Sequence, residues 1–293
     1  MSNSLHAWMS AVRPKTLGLS VSPVVLGTAL AVAAQGEMHW LPALAALLAA
    51  MAIQIGTNLH NDAADHLKGT DGVDRLGPPR ASALGLLDVR QVRKAAFGAF
   101  TLAFVLGLYL VFQGGWPIVF LGLASLLAGA AYSGGPWPIS DSPLGELFVW
   151  IFFGLGAVGG SYYLQTGVLS WSILSPATAL GAFAAAVLVV NNYRDRYTDA
   201  QAGRKTLAVL LPVGFSRVEY ALLVLGPFLL PGILWQRQQF AWWLLPGLLV
   251  ALYLMWLIFH WPHGRKLNAL LAHTARFQLF FSLLYSAGLF LPV

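Results

Sequence analysis

The sequence predicts an all-α integral membrane protein, and its composition and the spacing of its apolar residues support this class. Of the 293 residues, 58% are hydrophobic and only 10% are charged, and the mean hydropathy is +0.69. A soluble domain of this size needs more charge to cover its surface. The apolar residues fall in runs long enough to cross about 30 Å of hydrocarbon. The chain contains no cysteine, which excludes a disulfide framework and any thiolate metal site.

The apolar runs predict about nine transmembrane helices. They lie near residues 17–34, 41–60, 95–113, 115–133, 145–165, 173–193, 218–235, 241–259 and 276–292. Glycine and proline recur within them, as at Pro23, Gly27, Gly154 and Gly181, which indicates close helix packing and local kinks. The first residues lack the pattern of a cleaved secretory signal, and no stretch resembles a soluble linker. We therefore expect one membrane domain over residues 1–293.

The basic residues predict the orientation of these helices. If the N-terminus is cytoplasmic, nine spans place every one of the 17 lysines and arginines except Arg237 on the cytoplasmic side. The positive-inside rule therefore favours a cytoplasmic N-terminus and an external C-terminus in the inner (cytoplasmic) membrane. Basic cytoplasmic loops also account for the net charge of +6 without a nucleic-acid partner. The acidic residues follow the same asymmetry, with only Glu37 outside.

Two acidic motifs stand out at the ends of predicted helices. The first is NLHNDAADHLKGTD at residues 58–71, and the second is NNYRDRYTDAQAGRKTL at residues 191–207. They share an asparagine, an aspartate four residues later and a further aspartate one helical turn on: Asn58, Asp62 and Asp65 in one, Asn191, Asp195 and Asp199 in the other. The motifs are four helices apart, so both reach the same membrane face. This indicates a parallel duplication with halves of roughly 1–140 and 141–293.

The spacing of each motif predicts a metal site. Side chains offset by four and seven or eight residues share one helix face. Four aspartates at two helix ends would repel each other and would be costly to desolvate, and a hard divalent cation removes that penalty. Carboxylate and amide oxygens are ligands that Mg²⁺ accepts, usually together with phosphate oxygens of a substrate. The predicted metal ligands are Asp62, Asp65, Asp195, Asp199, Asn58 and Asn191.

Basic residues beside the acidic motifs predict a diphosphate site. Lysine and arginine supply the donors that a diphosphate needs, so acids for metal beside bases for phosphate indicate a metal-bridged diphosphate. The candidates for diphosphate binding are Lys68, Arg75, Arg80, Arg204, Lys205, Arg13, Lys15 and Asn58. A single Asp-x-x-x-Asp pattern is usually a solvated helix end or a cap. The combination of two copies, each with a preceding asparagine, is the more specific signal.

At these residues the sequence resembles the UbiA superfamily of intramembrane aromatic prenyltransferases. Within it, the sequence is most similar to the branch that prenylates 1,4-dihydroxy-2-naphthoate in menaquinone biosynthesis. Four stretches carry the resemblance: RPKTL at 13–17, NLHNDAADHLKGTDGVDRLGPPR at 58–80, YSGGPWPISDSPLGELFVWIFFG at 132–154, and NNYRDRYTDAQAGRKTL at 191–207. The resemblance implies nine helices around a central cavity that opens to lipid, with the acidic motifs covering it on the cytoplasmic side.

The resemblance also implies an activity. A polyprenyl group would pass from polyprenyl diphosphate to dihydroxynaphthoate with loss of CO₂ and diphosphate, giving demethylmenaquinone. Asp62, Asp65, Asp195 and Asp199 would hold Mg²⁺ and act as the catalytic residues, because neutralising the diphosphate lets the allylic bond ionise. Uncharged groups would orient the aromatic acceptor, and the candidates are Asn61, Asn191, Asn192 and Tyr132.

Other functions remain open at the level of sequence. A related prenyltransferase could use 4-hydroxybenzoate, homogentisate or a glycerol phosphate as its acceptor. A secondary transporter also places acids in a membrane and contains internal repeats, but transporter sites usually lie near the midplane, whereas these acids lie at helix ends beside basic residues. Tyr132 and Glu146 could contact the acceptor or pack at the interface, and His60 and His66 are interpreted as lining residues.

Overall fold

The structure is a computed structural model that describes residues 2–68, 76–77, 80–230 and 242–291. In those ranges every regular element is a helix. The α-helices are α1 Ser2–Val12, α2 Pro14–Gln35, α3 Trp40–Lys68, α4 Val89–Gly114, α5 Trp116–Ala131, α6 Gly145–Val149, α7 Ala157–Thr166, α8 Leu174–Gln201, α9 Leu207–Leu210, α10 Val213–Leu225, α11 Leu245–His260 and α12 Leu267–Gly288. A π-helical segment, Trp150–Gly156, joins α6 to α7. Single 3₁₀ turns occur at Ile139–Asp141, Trp171–Ile173 and Gly226–Leu229.

Several helices are suited to a membrane, and the chain is a membrane protein. Five described segments are long and apolar enough to cross one: Pro14–Gln35, Trp40–Leu67, Val89–Gly114, Gly145–Thr166 and Trp171–Gln201. Two shorter apolar helices are Trp116–Ala131 and Leu245–His260. Where the structure describes them, the predicted apolar runs lie on helices; residues 231–241 fall outside the described ranges. The count of nine spans and their orientation stay predictions.

The helices that carry the acidic motifs extend beyond the apolar runs, as the helical spacing of the motifs predicts. α3 has 29 residues and α8 has 28, whereas about 20 suffice to cross the hydrocarbon. The apolar runs predict ends near residues 60 and 193, but each helix continues for two further turns through its aspartates. Hydropathy misses this extension because the added turns are polar. Each motif is therefore held on a rigid helix end.

The opposite end of the bundle is fixed by one buried amide. Gln165 of α7 accepts the backbone N–H of His39 at 2.7 Å and donates its own Nε2 to the His39 carbonyl at 3.1 Å. His39 precedes α3, so the start of α3 lies beside the end of α7. Since α3 and α8 both run away from this end, their two motifs emerge together at the other.

An aromatic cluster forms the centre of the hydrophobic core. The ring of Phe183 on α8 meets Phe277 and Phe281 of α12 edge-on, with centroids 4.8 and 4.9 Å apart. This geometry aligns the positive ring edge with the negative ring face. By contrast Phe112 and Trp116, at the junction of α4 and α5, project outward with 85% and 74% of their surface exposed. Exposed apolar surface of this kind is suited to lipid.

Glycines allow α8 to approach the π-helical segment closely. A Cβ at Gly181 would lie 2.5 Å from the Trp150 carbonyl oxygen, and a Cβ at Gly154 would lie 2.6 Å from the Ala177 carbonyl oxygen. Small residues at such crossings bring helix backbones together in membrane proteins. A π-helical turn accommodates an extra residue and is frequent at functional sites. This contact holds the π-helical segment, and with it α6, against α8.

We expect Gly181→Ala to destabilise the protein, because the new methyl group must displace backbone rather than a flexible side chain. Overpacking of this kind costs about 1–3 kcal/mol. The check is the melting temperature of the purified protein in detergent. Gly107→Ala on α4 is the matched control, since its Cβ would meet no atom within 4 Å. Equal melting temperatures for the two variants would contradict this packing.

The predicted orientation can be tested by cysteine labelling of this cysteine-free chain. Ser82 and Ser216, although near the acidic end, are buried, so the exposed residues Ala83 and Ala202 are the better positions. An impermeant thiol reagent should label cysteines there in inside-out vesicles but not in right-side-out vesicles. Val168, exposed at the opposite end, should give the reverse pattern. Labelling of Ala83→Cys and Ala202→Cys from outside would overturn the cytoplasmic N-terminus.

Candidate active site

Asp62 of the first motif fixes the segment that leads into α4. Its side chain is 1% exposed, and its two oxygens accept the backbone N–H groups of Ala81 at 3.3 Å and Ser82 at 3.1 Å. A carboxylate that accepts backbone N–H groups is stabilised in its charged form. Asp62 therefore connects the end of α3 to the turn at residues 81–85.

Arg204 brings the two acidic motifs together. Its Nη2 lies 2.8 Å from Asp65 Oδ1 of the first motif, and its Nη1 lies 3.0 Å from Asp199 Oδ1 of the second. Its Nε lies 3.1 Å from Asp141 Oδ1. Arg80 pairs with the other oxygen of Asp65. We call these five residues the Arg204 cluster, and it confirms that both motifs reach the same end of the bundle.

Among the described residues, the Arg204 cluster brings three carboxylates to two guanidinium groups. Burial alone would lower the pKa of the Arg204 guanidinium, but the carboxylates of Asp65, Asp199 and Asp141 outweigh burial, and the pKa lies above its ordinary value. Arg204 therefore stays charged and holds the carboxylates of both motifs together.

Asp195 has a different partner, its sequence neighbour Arg194. The Arg194 Nε donates to Asp195 Oδ1 at 2.8 Å, and its Nη2 donates to Asn191 Oδ1 at 2.9 Å. Its Nη1 donates to Asn268 Oδ1 at 2.7 Å, and the Asn268 amide donates to the Leu76 carbonyl at 2.8 Å. Arg194 is 2% exposed. It ties the second motif to the start of α12 and to the segment after the first motif.

The role of Arg194 does not follow from the helical spacing of the aspartates, which predicts only the acidic residues of the motif. The available signal was its position directly before Asp195 in a helix end with few charges. Asp141 and Ser133 were missed as well, since neither belongs to an acidic motif. Both lie in the loop between α5 and α6, and only the folded chain brings that loop to the cluster.

Asn58 contacts the junction of α1 and α2. Its Nδ2 donates to the Val12 carbonyl at 2.9 Å and to Thr16 Oγ1 at 3.4 Å. Between them Arg13 has a left-handed backbone with φ 56°, which is uncommon outside glycine and is often found at functional sites. Within the described ranges, the side chain of Asn58 contacts this junction and Gln54 rather than the aspartates. Its roles in metal and diphosphate binding stay predictions.

The loop at residues 132–144 contacts both motifs. Ser133 Oγ donates to Asn61 Oδ1 beside the first motif. The Lys205 backbone N–H donates to the Asp141 carbonyl at 2.8 Å beside the second, and the Ser140 N–H closes the loop on the Tyr132 carbonyl at 2.8 Å.

The remaining predicted residues differ in how they relate to this region. Asn192 lies in it, and its Nδ2 donates to Glu146 Oε1 at 2.8 Å. The side chains of Lys15 and Lys205 are exposed. His60 lies against Gly134 of the loop, as a lining residue would, whereas His66 is exposed. Arg75 and the side chain of Lys68 lie outside the described residues.

The residues present fit Mg²⁺ by the chemistry of their donors. Carboxylates from both motifs already converge on one cationic group, Arg204. Among the described residues, however, no three acidic or histidine side chains are grouped as a ready set of ligands, because arginines and backbone N–H groups engage them. To hold a metal, Asp65, Asp195 and Asp199 would have to exchange these partners.

Comparison with known proteins identifies the family. The model of the UbiA prenyltransferase family matches residues 20–284. The chain belongs to this family. It is therefore an enzyme that transfers prenyl groups, and the resemblance found in its sequence is confirmed.

Relatives and solved structures agree with this assignment. The chain is 38% identical over 230 residues to 1,4-dihydroxy-2-naphthoate octaprenyltransferase of Escherichia coli, covering 75% of this chain and 73% of the relative. It is 39% identical over 217 residues to the protein of the same name from Mycobacterium tuberculosis, covering 74% of each. A UbiA homolog from Archaeoglobus fulgidus, bound to DMAPP and Mg²⁺, superposes with a TM-score of 0.66 at 15% identity and covers 97% of this chain and 99% of its own. The fold is thus of the UbiA type.

We expect Arg204→Gln to destabilise the metal-free protein, because three carboxylates would lose a shared cation. Removing one partner of a buried ion pair costs on the order of 3 kcal/mol, which should lower the melting temperature in detergent. Mg²⁺ should recover part of this loss if the same carboxylates can bind it. Lys205→Gln, on the exposed neighbouring side chain, is the matched control. An unchanged melting temperature in Arg204→Gln would contradict a stabilising role for the cluster.

Proposed function

We propose that this enzyme transfers a polyprenyl group from polyprenyl diphosphate to 1,4-dihydroxy-2-naphthoate in a Mg²⁺-dependent reaction. CO₂ and diphosphate would be lost, and the product would be demethylmenaquinone. The observation that carries the proposal is the Arg204 cluster, in which one guanidinium joins carboxylates of both motifs. The names of the bacterial relatives at 38% and 39% identity support dihydroxynaphthoate as the acceptor.

The donor would bind at the Arg204 cluster. Bound Mg²⁺ would neutralise the diphosphate leaving group and so lower the barrier to ionisation of the allylic C–O bond. Asp62, Asp65, Asp195 and Asp199 are the proposed ligands. The guanidinium groups of Arg80 and Arg204 would turn from the carboxylates to the phosphate oxygens, since their planar forks match phosphate as well as carboxylate. The Archaeoglobus homolog bound to DMAPP and Mg²⁺ supports this donor class.

The fold would also hold the prenyl tail in lipid, keep water from the reacting carbon and orient the acceptor. A prenyl tail is expensive to solvate in water at about 0.8 kcal/mol for each CH₂ group, so a site at the end of a membrane bundle allows the tail to remain in lipid. Apolar residues beside the first motif, Leu59 and Ala63, are buried and would help to keep water from the reacting cation. Asn61, Asn191, Asn192 and Tyr132 would orient the acceptor. We place the site on the cytoplasmic side of the inner membrane, on parallel halves of roughly 1–140 and 141–293.

The test is incubation of purified enzyme with Mg²⁺, one polyprenyl diphosphate and a panel of acceptors, with the products followed by mass. We expect dihydroxynaphthoate to give a product that has gained the prenyl group and lost CO₂. Asp62→Ala and Asp195→Ala should each lower turnover about 10²–10³-fold, the typical loss of one charge-stabilising group.

Glu37→Ala is the matched control, because it removes an exposed carboxylate at the opposite end of the bundle and should leave turnover unchanged. Prenylation of 4-hydroxybenzoate but not of dihydroxynaphthoate would overturn the proposal that dihydroxynaphthoate is the acceptor. Near-normal turnover in both aspartate variants would overturn the metal site. If the protein moves a solute across the membrane against its gradient and prenylates no acceptor, the alternative function as a secondary transporter would be favoured.

A further inference from the structure

Glu146 is a buried carboxylate outside the two acidic motifs. It lies in the first turn of α6 and is 6% exposed. Its Oε1 accepts the Asn192 amide at 2.8 Å. Its Oε2 is buried, and no other described residue hydrogen-bonds to it or forms an ion pair with it. One oxygen of this carboxyl group is therefore available to a ligand.

A buried carboxylate in this state is expensive. Leaving a buried polar group unsatisfied costs roughly 1–3 kcal/mol, and more for a charged group. Buried polar groups are nearly always hydrogen-bonded, so an exception calls for a ligand or a chemical role. Glutamine at this position could keep the contact with Asn192 without the cost of a carboxylate. The chain nevertheless has glutamate at this position.

The position of Glu146 relative to the Arg204 cluster suggests which ligand it meets. Its partner Asn192 lies seven residues before Asp199 on α8, so the two share a helix face. Seven residues correspond to roughly 10 Å along a helix, so Asn192 and the Glu146 carboxyl that it contacts lie deeper in the bundle than Asp199. The Tyr132 hydroxyl lies near Glu146 as well. An aromatic acceptor with a hydroxyl group at Glu146 would therefore lie on the inner side of a donor bound at the cluster.

We propose that Glu146 accepts the proton from a ring hydroxyl of the aromatic acceptor, with Asn192 orienting the carboxylate. The substrate class is an aromatic acid whose hydroxyl group lies next to the carbon that bears its carboxylate. This inference rests on the proposed function and assigns to one residue the proton transfer that prenylation of a phenol requires. General bases of this kind contribute about 10²–10⁴-fold to rate.

The step balances without a further reactant. The allylic C–O bond breaks and its electron pair leaves with diphosphate. The ring carbon that bears the carboxylate bonds to the prenyl carbon, the adjacent hydroxyl becomes a carbonyl, and its proton passes to Glu146. The C–CO₂ bond then breaks, its electron pair restores the aromatic ring, and the carbonyl oxygen takes the proton back. The Glu146 carboxylate is thereby regenerated.

The first test uses the Glu146→Gln variant and measures prenyl transfer to the acceptor separately from binding and hydrolysis of the donor. Glutamine keeps an oxygen for the Asn192 amide but is a far weaker proton acceptor. Prenyl transfer to dihydroxynaphthoate should fall about 10²–10⁴-fold. Binding of the prenyl diphosphate and its Mg²⁺-dependent hydrolysis without acceptor should stay within about twofold of the wild type, since the donor end is untouched. Glu37→Gln, which neutralises an exposed acid at the opposite end of the bundle, is the control and should transfer normally.

The second test uses acceptors with increasingly acidic hydroxyl groups, such as halogenated dihydroxynaphthoates. A more acidic hydroxyl group depends less on a base for its deprotonation. The factor by which Glu146→Gln transfers the prenyl group more slowly than the wild type should therefore decrease along the series. A structural role for Glu146 predicts the same deficit for every acceptor. A constant deficit, or loss of donor hydrolysis in the variant, would overturn the inference. If the wild type itself prenylates no aromatic acid, the proposed function fails instead.

Discussion

The burial of carboxylates at the ends of α3 and α8 is the constraint on which the rest of the structure depends. Asp62, Asp65 and Asp199 are each less than a tenth exposed, and charges in such surroundings must be compensated. The fold compensates them with arginines and with backbone N–H groups. Because Arg204 serves carboxylates on two helices and in one loop, α3, α8 and the loop at residues 132–144 must keep a fixed relative position.

The same constraint explains why the helices continue beyond the membrane-crossing length. An aspartate in hydrocarbon would be far costlier than one at a polar helix end. Two extra turns carry the carboxylates past the apolar segment, where arginines can reach them. The helix ends remain rigid, so the proposed metal ligands depend on packed helices rather than on flexible loops.

Close packing deeper in the bundle positions the acceptor region. Gly154 and Gly181 let the π-helical segment and α8 approach within backbone contact. This contact holds α6, which carries Glu146, against α8, which carries Asn192. Two carboxyl environments result along one face of α8. The outer one is rich in arginine and suited to diphosphate and metal, whereas the inner one has a free carboxyl oxygen and suits an uncharged hydroxyl group.

The sequence by itself determined the membrane class, the positions of the helices and the duplicated motifs. These follow from apolar run length and from residue spacing along one helix, both of which are local properties of the chain. Local pattern also predicted Asp65, Asp199 and Arg204 as site residues, and the helical spacing of the motifs predicted that α3 and α8 continue past their apolar runs. Tertiary structure alone decided which groups meet. Arg204 pairs with Asp65 across 139 positions, Asp141 joins them from a loop, and Glu146 meets Asn192 across 46 positions, because such pairings depend on how helices pack and not on the residues beside them in sequence.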